Sequence, residues 1–596
     1  MTVPERLTAL RSLMQEQNID AYLVPTDDFH NSEYVGDYFK CRKFITGFTG
    51  SAGTAVITRD SAYLWTDGRY FIQAAAQLEG SGVELMKMGE EGVPTISEFL
   101  LSNLTEGQAL GFDGRTMNAQ STELLCRRLK KKGVSVKEDL DLVGDVWTDR
   151  PALSCEPVYT LPIEYAGKSR TDKIADVRTA MKENGAEYFL LTSLDDIAWL
   201  LNIRGNDVAC NPVVLSYLAM TADETILFAQ KAAFSEEVLA ELTADGITLR
   251  PYNDIYAYAS EIHPGYTVLL DSGSVNFALK NCLQNNVWVC DEANPTLLPK
   301  ACKNPVEVEH MRQAHIKDGV AVTRFVRWLK ENVAKETITE MSAAVQLEKF
   351  RGMGENYKGP SFEPIISYGT HAAIVHYSAT EETDIALKPE GSVLCDTGGQ
   401  YLEGTTDITR TVVLGPVSQK EKEFFTRVLR GNLNLANCKF LYGMRGTSLD
   451  YVAREPLWEV GENYNHGTGH GVGFLLNVHE GPQNIRWKTR EGQRDAVLEE
   501  GMITSNEPGI YFEGEFGIRH ENLILCKKAE KNGNGQFMEF ETITMVPWDL
   551  DGIIPEMLSE KEKALLNDYH KTVYETISPF MDEEEKEWLK NATRAI

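Results

Sequence analysis

The chain opens on a helix-period pattern that gives way to short hydrophobic runs. Apolar residues recur at helical spacing in Leu7–Gln17, and the run IDAYLVPTDD (19–28) ends in two acids. This pattern predicts a helix, then a strand and a turn. The stretch 44–75 predicts a β-meander followed by a helix, because short apolar runs alternate there with glycines before helical spacing returns. We expect this first α/β region to cover residues 1–157.

A second region repeats the opening of the first. The segment 9–28 aligns without gaps on 176–195 when the numbers are shifted by 167, with identities such as Met14 with Met181. The repeat predicts a second α/β domain over 158–303, joined by a proline-marked linker. The alternative, that any helix–strand unit aligns this well with any other, stays open at this stage.

The third region has the strongest helix signals. Asn304, Pro305 and Glu307 have the spacing of a capping box, and apolar residues follow at helical spacing as far as Leu329. This predicts a long helix that starts at residue 305.

Further elements of this region are predicted in the same way. A second helix is predicted from Thr337, with Glu340 completing a capping box. The apolar runs 361–369, 372–377 and 540–548 predict strands. The charged tail, about 552–596, predicts two helices, so the third domain is expected to cover 304–596.

Two aspartates stand out within this third domain. Asp396 ends the buried-strand pattern SVLCD, and Asp407 lies inside the β-branched run TTDITRTVVL (405–414). A carboxylate inside such a run needs a partner, because burial of an unpaired charge is costly. Taken alone, either aspartate is better explained as a solvated acid beside a hairpin.

Three later residues change that interpretation. His470 lies in the glycine-rich stretch 464–482, Glu507 precedes a proline, and Glu521 lies in FGIRHENLIL (516–525). Glycines between His466 and His470 favour a loop over the helical zinc motif that an HxxxH spacing suggests. Strand alternation in 516–525 predicts that residues 519 and 521 share one face.

Four carboxylates and one imidazole that converge in one pocket would carry a charge near −4. Such a charge requires compensation, and two divalent cations supply it. Oxygen-rich ligands with one imidazole suit Mn²⁺, with Zn²⁺ or Co²⁺ as alternatives. Two such ions can share a bridging hydroxide and clamp a tetrahedral intermediate.

Composition and charge exclude several classes of partner. The chain has 596 residues and a formal net charge of −29, so nucleic acid and anionic membranes are poor partners. No apolar run approaches the roughly 20 residues of a membrane span, and the first residues lack the apolar core of a secretion signal. Ten scattered cysteines without a CxxC pair are typical of reduced thiols, so a cytoplasmic location is expected.

The five candidate ligands, in their order along the chain, resemble the metal ligands of the pita-bread metallopeptidases. They are Asp396, Asp407, His470, Glu507 and Glu521. The stretches DTGGQYLEGTTDITRT, HGTGHGVG, NVHEGP, NEPGIYF and GIRHEN are similar to those of the three-domain, cytosolic type of aminopeptidase P. The resemblance covers nearly the whole chain. It implies an α/β (α+β) fold class, with two creatinase-like N-terminal domains followed by a pita-bread catalytic domain.

The resemblance also implies a role for each site residue. Asp396 would hold one metal ion, Asp407 and Glu521 would bridge both ions, and His470 and Glu507 would hold the other. Glu507 would also take a proton from the bridging water. The remaining implied residues bind substrate, move protons or support the ligands: His376, His466, His479, Tyr511 and Arg519. Arg519 would orient the carboxylate of Glu521, which lies two residues away on the same strand.

The implied reaction is removal of the N-terminal residue from Xaa-Pro peptides by a hydroxide that bridges two divalent metal ions. Two rival functions remain at this stage: a prolidase that acts on Xaa-Pro dipeptides, and a peptide-binding protein that uses the same fold without catalysis. The resemblance further implies a homodimer, with contacts from the N-terminal domains near the active site of the partner. Ile510, Phe474 and His520 depart from the residues that are commonest beside these motifs, which concerns pocket details and not the ligand set.

Overall fold

The structure is a computed structural model that describes residues 1–489 and 495–596. Its residues group into two compact units, one formed by 1–163 with 168–297 and the other by 164–167 with 298–596. Within the described residues, none of the helices combines the length and the apolar character that crossing a bilayer requires.

The first unit begins with a sheet and its flanking helices. The strands, in chain order, are Ala21–Pro25 (β1), Thr54–Thr58 (β2), Ala62–Thr66 (β3), Glu84–Lys87 (β4), Ala109–Gly111 (β5) and Ser135–Lys137 (β6). The helices are Val3–Glu16 (α1), Cys41–Thr46 (α2), Phe71–Leu78 (α3), Ile96–Asn103 (α4), Ala119–Lys131 (α5) and Leu142–Val146 (α6). The sheet order is β4-β3-β2-β1-β5-β6.

The same unit then repeats this arrangement. Its further strands are Tyr159–Thr160 (β7), Tyr188–Leu191 (β8), Ile203–Arg204 (β9), Ser216–Met220 (β10), Thr225–Ala229 (β11), Ile247–Arg250 (β12), Thr267–Leu270 (β13) and Trp288–Asp291 (β14). The helices along this stretch of the chain are Ile163–Ala166 (α7), Arg170–Glu183 (α8), Leu194–Leu201 (α9), Glu236–Ala244 (α10), Asp254–Glu261 (α11), Phe277–Asn281 (α12) and Leu297–Ala301 (α13). Residues 164–166 of α7 and 298–301 of α13 belong to the second unit. The second sheet has the order β12-β11-β10-β8-β13-β14.

The two sheets have the same topology, which confirms the repeat seen in the sequence. In each, the strand after the first helix pairs antiparallel with one neighbour and parallel with the other. A shift of 167 carries α1 (3–16) onto α8 (170–183) and the start of β1 onto that of β8. The N-caps Thr2 and Ser169 obey the same shift, and each side chain accepts a backbone N–H three residues on.

The second unit carries the site. Its helices are Pro305–Asn332 (α14), Glu340–Arg351 (α15), Gln419–Ala436 (α16), Gly446–Trp458 (α17), Glu560–Ile577 (α18) and Glu583–Ala592 (α19). Its strands are Tyr357–Pro360 (β15), Ile365–Tyr368 (β16), Ser392–Thr397 (β17), Gly399–Tyr401 (β18), Gly404–Thr405 (β19), Ile408–Val413 (β20), Lys439–Leu441 (β21), Gly469–His470 (β22), Asn484–Ile485 (β23), Ile503–Asn506 (β24), Gly509–Phe512 (β25), Phe516–Arg519 (β26), Asn522–Asn532 (β27) and Gly535–Thr542 (β28).

Two small sheets form the frame of this unit. Strand β17 lies between β16 and β20, and the order of the other sheet is β21-β28-β27-β24. A core of apolar residues from α14 and α15, such as Phe325 and Leu347, packs against β17 and β20. A second core packs Leu449 and Ala453 of α17 against Ile524 of β27. Each sheet therefore has a helical layer behind it.

Several sequence-based predictions for this unit need correction. The predicted capping box at residue 304 is confirmed. Helix α15 starts at Glu340, and its N-cap is Thr339 with Ser342 as capping-box partner, so the cap lies two residues after the predicted cap Thr337. The predicted strand 372–377 is wrong, because residues 369–373 form a 3₁₀ turn. Strand β28 ends at residue 542, so the predicted strand 540–548 is wrong beyond that point.

The tail consists of two helices, as predicted, and each has a buried face. Leu566, Val573 and Ile577 of α18 and Leu589 of α19 are at most 1% exposed. Val573, Ile577 and Leu589 pack with Val320 of α14, and Leu566 packs with Phe425 of α16. The tail is therefore part of the hydrophobic core of the second unit.

Candidate functional site

The two aspartates are placed by the antiparallel pair of β17 and β20. Asp396 lies near the end of β17, opposite Thr409 of β20, and Asp407 immediately precedes β20. The chain between them forms the short β18–β19 hairpin. The two side chains are 12% and 6% exposed, so both carboxylates are largely removed from water.

Three residues from later segments complete the cluster. His470 ends β22, Glu507 lies between β24 and β25, and Glu521 lies between β26 and β27. The His470 Nε2 atom is 3.4 Å from an oxygen of Asp407 and 3.4 Å from an oxygen of Glu507. Asp407, His470 and Glu521 each offer one ligand atom within 4.8 Å of the others, which is a geometry that a cation can occupy.

The backbone fixes the orientation of the His470 ring. A carbonyl oxygen only accepts hydrogen bonds, so the 3.0 Å contact means that Nδ1–H of His470 donates to the Gly471 carbonyl. Nε2 is therefore the ring atom that faces the carboxylates, as in histidines that bind metal ions. A Cβ atom at Gly469 would lie 1.9 Å from the Ser505 carbonyl, so only glycine lets this loop lie so close to β24.

Arg519 has a different partner from the one predicted. Its Nη2 donates to Asp396 Oδ2 at 2.6 Å and its Nη1 donates to the Tyr511 hydroxyl at 2.7 Å. The expectation that Arg519 orients Glu521 is wrong, because the Arg519 guanidinium bonds to Asp396 and Tyr511. Residues 519 and 521 also do not share one strand, since β26 ends at residue 519 and β27 begins at residue 522. Arg519 instead joins Asp396 to Tyr511.

Tyr511 extends this contact to His466. The Tyr511 hydroxyl donates to Nε2 of His466 at 2.8 Å, while Nδ1–H of His466 donates to the Gly467 carbonyl at 2.7 Å. Burial raises the pKa of Tyr511 to about 12, although Arg519 opposes the rise, so the phenol keeps its proton. His466 is therefore held in place from both ring nitrogens.

The other two predicted histidines lie at different positions around the cluster. The His479 ring lies edge-on to that of His470, with 4.2 Å between centroids. His376 is partly exposed and follows Val375, whose carbonyl accepts from Arg519 at 3.2 Å. The structure thus brings His479 against a residue of the cluster and places His376 on the segment that contacts Arg519.

The electrostatics of the cluster favour bound cations. Burial is the largest cause that raises the pKa of Glu521 well above its ordinary value, and three nearby carboxylates raise it further. Burial also raises the pKa of Asp396, against the opposing charge of Arg519. Burial alone would lower the pKa of His470, but the hydrogen bond to Asp407 and the charge of Glu507 raise it to about 9. Clustered carboxylates of this kind favour compensation by positive charge.

The residues present fit a pair of divalent ions. Oδ1 of Asp396 is buried and accepts no hydrogen bond from the described part of the chain, although a buried carboxylate oxygen normally has a partner. Carboxylate oxygens with a single imidazole are the donors that Mn²⁺ and similar ions prefer. Such ions would give this oxygen a partner and balance the clustered charge.

Sequence reasoning missed two hydroxyl groups that touch the cluster. Thr409 donates to an oxygen of Glu521 at 2.7 Å, and Ser505 donates to an oxygen of Glu507 at 3.1 Å. Each lies two residues from a cluster residue in sequence, Thr409 after Asp407 and Ser505 before Glu507. The period of a strand, which places i and i+2 on one face, was the available signal.

Four family models match the chain, in the same order as the folded regions. The model for the Creatinase/Prolidase N-terminal domain matches in two forms, at residues 6–143 and 149–307. The model described as Metallopeptidase family M24 matches 309–528, and that for the C-terminal region of peptidase M24 matches 536–596.

Individual relatives match over the full chain. A probable Xaa-Pro aminopeptidase P from Pyrenophora teres f. teres is 40% identical, covering 99% of this chain and 92% of the relative. The crystal structure of X-prolyl aminopeptidase from Caenorhabditis elegans, described as a cytosolic enzyme with a di-nuclear active site, matches with a TM-score of 0.95 and 33% identity, covering both chains completely. The Xaa-Pro dipeptidase from Bacillus anthracis covers 64% of this chain, at 22% identity and a TM-score of 0.51, and so shows the fold alone.

Proposed function

Because the chain belongs to the Xaa-Pro aminopeptidases of metallopeptidase family M24, we propose that the cluster around Asp407 and Glu521 is its catalytic centre. The enzyme is a metal-dependent exopeptidase that removes the N-terminal residue when proline is second. The observation that carries this assignment is the convergence of Asp407, His470 and Glu521 within 4.8 Å in an acidic, largely buried site.

The proposed ligand set has five members. Asp396 would help to hold one ion, His470 and Glu507 would help to hold the other, and Asp407 and Glu521 would contribute to both. Two divalent cations, when bound, supply Lewis-acid chemistry, because they lower the pKa of a nucleophilic water and polarise the scissile carbonyl. The oxygen-rich donor set supports Mn²⁺ as the preferred ion, with Zn²⁺ and Co²⁺ as weaker fits.

The other site residues orient the substrate and move protons. Glu507 lies 3.4 Å from His470 and accepts the proton that the nucleophilic water releases. His479, beside His470, donates to the developing oxyanion, and His466 and His376 contact the substrate. Arg519 and Tyr511 hold Asp396 and His466 in their orientations.

The preference for proline follows from the chemistry of the bond. An Xaa-Pro amide has no N–H and its ring fixes φ, so the strand-like binding that most peptidases use cannot recognise it. A dedicated site must recognise the ring and the free amine instead. A carboxylate of the ligand set accepts a hydrogen bond from that amine, and this contact sets the exopeptidase register.

The rival functions have less support. A peptide-binding protein without catalysis has no use for five intact ligand residues in one cluster. The relative and the structure that match over nearly the whole chain are Xaa-Pro aminopeptidases, which favours that activity over a prolidase.

Paired peptides test the proposed function directly. We expect Xaa-Pro-Yaa to lose its first residue in the presence of Mn²⁺, Xaa-Ala-Yaa to be cleaved at least about 10²-fold more slowly, and both rates to vanish with a chelator. Liquid chromatography of the released amino acid measures each rate. A faster reaction on an Xaa-Pro dipeptide than on longer peptides would favour the prolidase, and cleavage by chelated protein would exclude a metallopeptidase.

Three further assignments complete the proposal. The domains divide at 157/158 and 303/304, with a helical tail over about 552–596. The location is cytoplasmic, supported by ten scattered cysteines without a CxxC pair and by the description of the Caenorhabditis elegans enzyme as cytosolic. The substrates are peptides, and the acidic charge argues against nucleic acid and membrane surfaces as partners.

The enzyme is also proposed to be a homodimer, and an exposed aromatic patch supports this. The patch consists of Tyr451, Trp458 and Trp487, which are 57%, 38% and 45% exposed. Their rings contact one another, at 5.9 Å and 6.2 Å between centroids. Aromatic residues exposed together mark association surfaces more often than isolated ones do. The aromatic patch lies in the second unit, so contacts from the N-terminal domains stay a prediction of the resemblance alone.

Light scattering checks the assembly. The wild-type chain is expected to have about twice the 66.7 kDa mass of one copy, and Trp458→Ser to shift the protein toward one copy. Trp288→Ser is the matched control, because this tryptophan is 67% exposed and belongs to the first unit, not to the aromatic patch. A wild-type mass of one copy, or equal behaviour of the two variants, would contradict this assignment.

A further inference from the structure

Two ion pairs in the second unit are completely buried, and the proposed mechanism uses neither of them. Arg351 donates to both oxygens of Asp318, at 2.7 Å and 3.1 Å, and both side chains are 0% exposed. Arg454 donates to Asp450 at 2.6 Å, again with both side chains 0% exposed. Buried ion pairs add little net stability, because desolvation offsets their attraction. Their presence therefore calls for another reason.

The Asp318–Arg351 pair reaches both aspartates through threonines. Thr406, which precedes Asp407, donates to Asp318 at 2.5 Å. Thr397, which follows Asp396, accepts from Arg351 at 3.1 Å. One rigid ion pair between α14 and α15 therefore contacts the chain directly beside both carboxylates.

The Asp450–Arg454 pair, on α17, contacts the histidine loop in the same manner. Thr468, two residues before His470, donates to Asp450 at 2.6 Å. Arg454 donates to the His466 carbonyl at 2.8 Å. The Thr468 carbonyl in turn accepts the backbone N–H of Glu507 at 2.8 Å. This pair thus holds the segments of a second group of site residues.

We propose that these two ion pairs are positioning elements of the metal site, each holding the segments of two of the five ligands through threonine hydroxyls: Asp396 and Asp407 by the first pair, His470 and Glu507 by the second. The inference rests on the proposed function, since it assigns the pairs to the same ligands. The physical reason is tolerance: a site for two ions works only when its ligands stay within about 0.5 Å of the required positions. A buried Asp–Arg fork has fixed geometry and no competing water, so it transmits that precision.

Removal of one hydroxyl tests the first pair without removing a charge. Thr406→Val leaves the ion pair in place but breaks its link to residue 407. We expect the affinity for Mn²⁺ to fall by about 10- to 100-fold, the range found for groups that support metal ligands. At saturating Mn²⁺, kcat is expected to fall while KM changes less than about twofold. Thr406→Ser restores the hydroxyl and is expected to recover both values.

Thr405→Val is the matched control. Thr405 lies on the same hairpin and is 0% exposed like Thr406, but its hydroxyl donates to Gln400 at 2.8 Å and not to the ion pair. The measurement is calorimetric titration of the full-length, chelator-treated protein with Mn²⁺, beside the rate on an Xaa-Pro peptide. Thr397→Val gives an independent test of the same pair if Thr406→Val fails to fold, and Thr468→Val with Thr468→Ser tests the second pair.

The outcomes separate the inference from the function beneath it. A wild-type protein that binds no Mn²⁺ would overturn the proposed function itself. A normal wild-type protein with equal Mn²⁺ affinity in Thr406→Val and Thr405→Val would overturn the positioning role alone. Weaker binding in Thr406→Val that serine fails to restore would also overturn it, because the hydroxyl would not be the cause.

Discussion

Replacement of Glu521 by alanine is expected to abolish activity together with metal binding. Glu521 is 2% exposed, lies within reach of both Asp407 and His470, and is proposed to contact both ions. Its loss opens a coordination position and leaves uncompensated positive charge on the bound ions. Removal of a group that only supports a ligand lowers metal affinity or activity by about 10- to 100-fold. Removal of the ligand itself is therefore expected to lower metal affinity by more than about 10²-fold. Metal content by mass spectrometry and kcat are measured on the same sample.

His479→Ala is the matched variant for Glu521→Ala. His479 contacts the His470 ring but lies outside the proposed ligand set, so both ions should stay bound. A donor that acts on a developing oxyanion contributes mainly in the transition state, and its removal is expected to lower kcat by about 10² to 10³. Metal loss in His479→Ala as complete as in Glu521→Ala, or a wild-type kcat, would show that the division of roles is wrong.

The repeated N-terminal fold was predictable because its signal is local. A helix followed by a hydrophobic strand is written in consecutive residues, and the offset of 167 reproduces both bounds of α8. The order of the strands within each sheet could not be predicted in the same way. The order in which β8 lies between β10 and β13 depends on contacts between distant segments, which the pattern within one strand does not record.

The predicted strand 372–377 failed because tertiary contact overrode an apolar pattern. A Cβ atom at Gly517 of β26 would lie 1.8 Å from the Ala372 carbonyl. The segment therefore packs closely against β26 as a 3₁₀ turn. The first residue of this turn, Gly369, has a φ of +58°. Nothing in the run AAIVHY itself indicates that approach.

Within the site, the sequence pattern predicted the candidate residues, whereas the contacts of those residues are seen only in the structure. All five proposed ligands were selected by residue type and by resemblance, and the structure brings Asp407, His470 and Glu521 together. The partner of Arg519 was predicted wrongly, because alternation along one strand suggested a neighbour two positions away. Asp396 is 123 residues distant in sequence and meets Arg519 only through the folded sheets. Long-range partners of this kind depend on strand pairing.

Among changes outside the ligand set, loss of the Arg519 side chain is expected to lower the free energy of unfolding the most. Arg519 is 1% exposed and donates from two nitrogens to Asp396, at 2.6 Å and 3.1 Å. Arg519→Leu would leave the Asp396 carboxylate buried without its cation, which typically costs about 3–5 kcal/mol. The cost should be largest in chelator-treated protein, where no metal ion compensates the charge. Urea unfolding, with and without Mn²⁺, measures the change in the free energy of unfolding.

Arg312→Leu is the control for Arg519→Leu, since it removes the same side chain from a two-nitrogen contact at the surface. Arg312 donates to Glu541 at 2.7 Å and 3.0 Å, but it is 36% exposed. Water and salt already screen such a pair, so its loss should cost about 0–1 kcal/mol, with or without Mn²⁺. Equal losses in the two variants would mean that burial of Asp396 is not what makes Arg519 necessary. A loss in Arg519→Leu that Mn²⁺ fails to reduce would mean that the metal ion and the arginine do not compensate the same carboxylate.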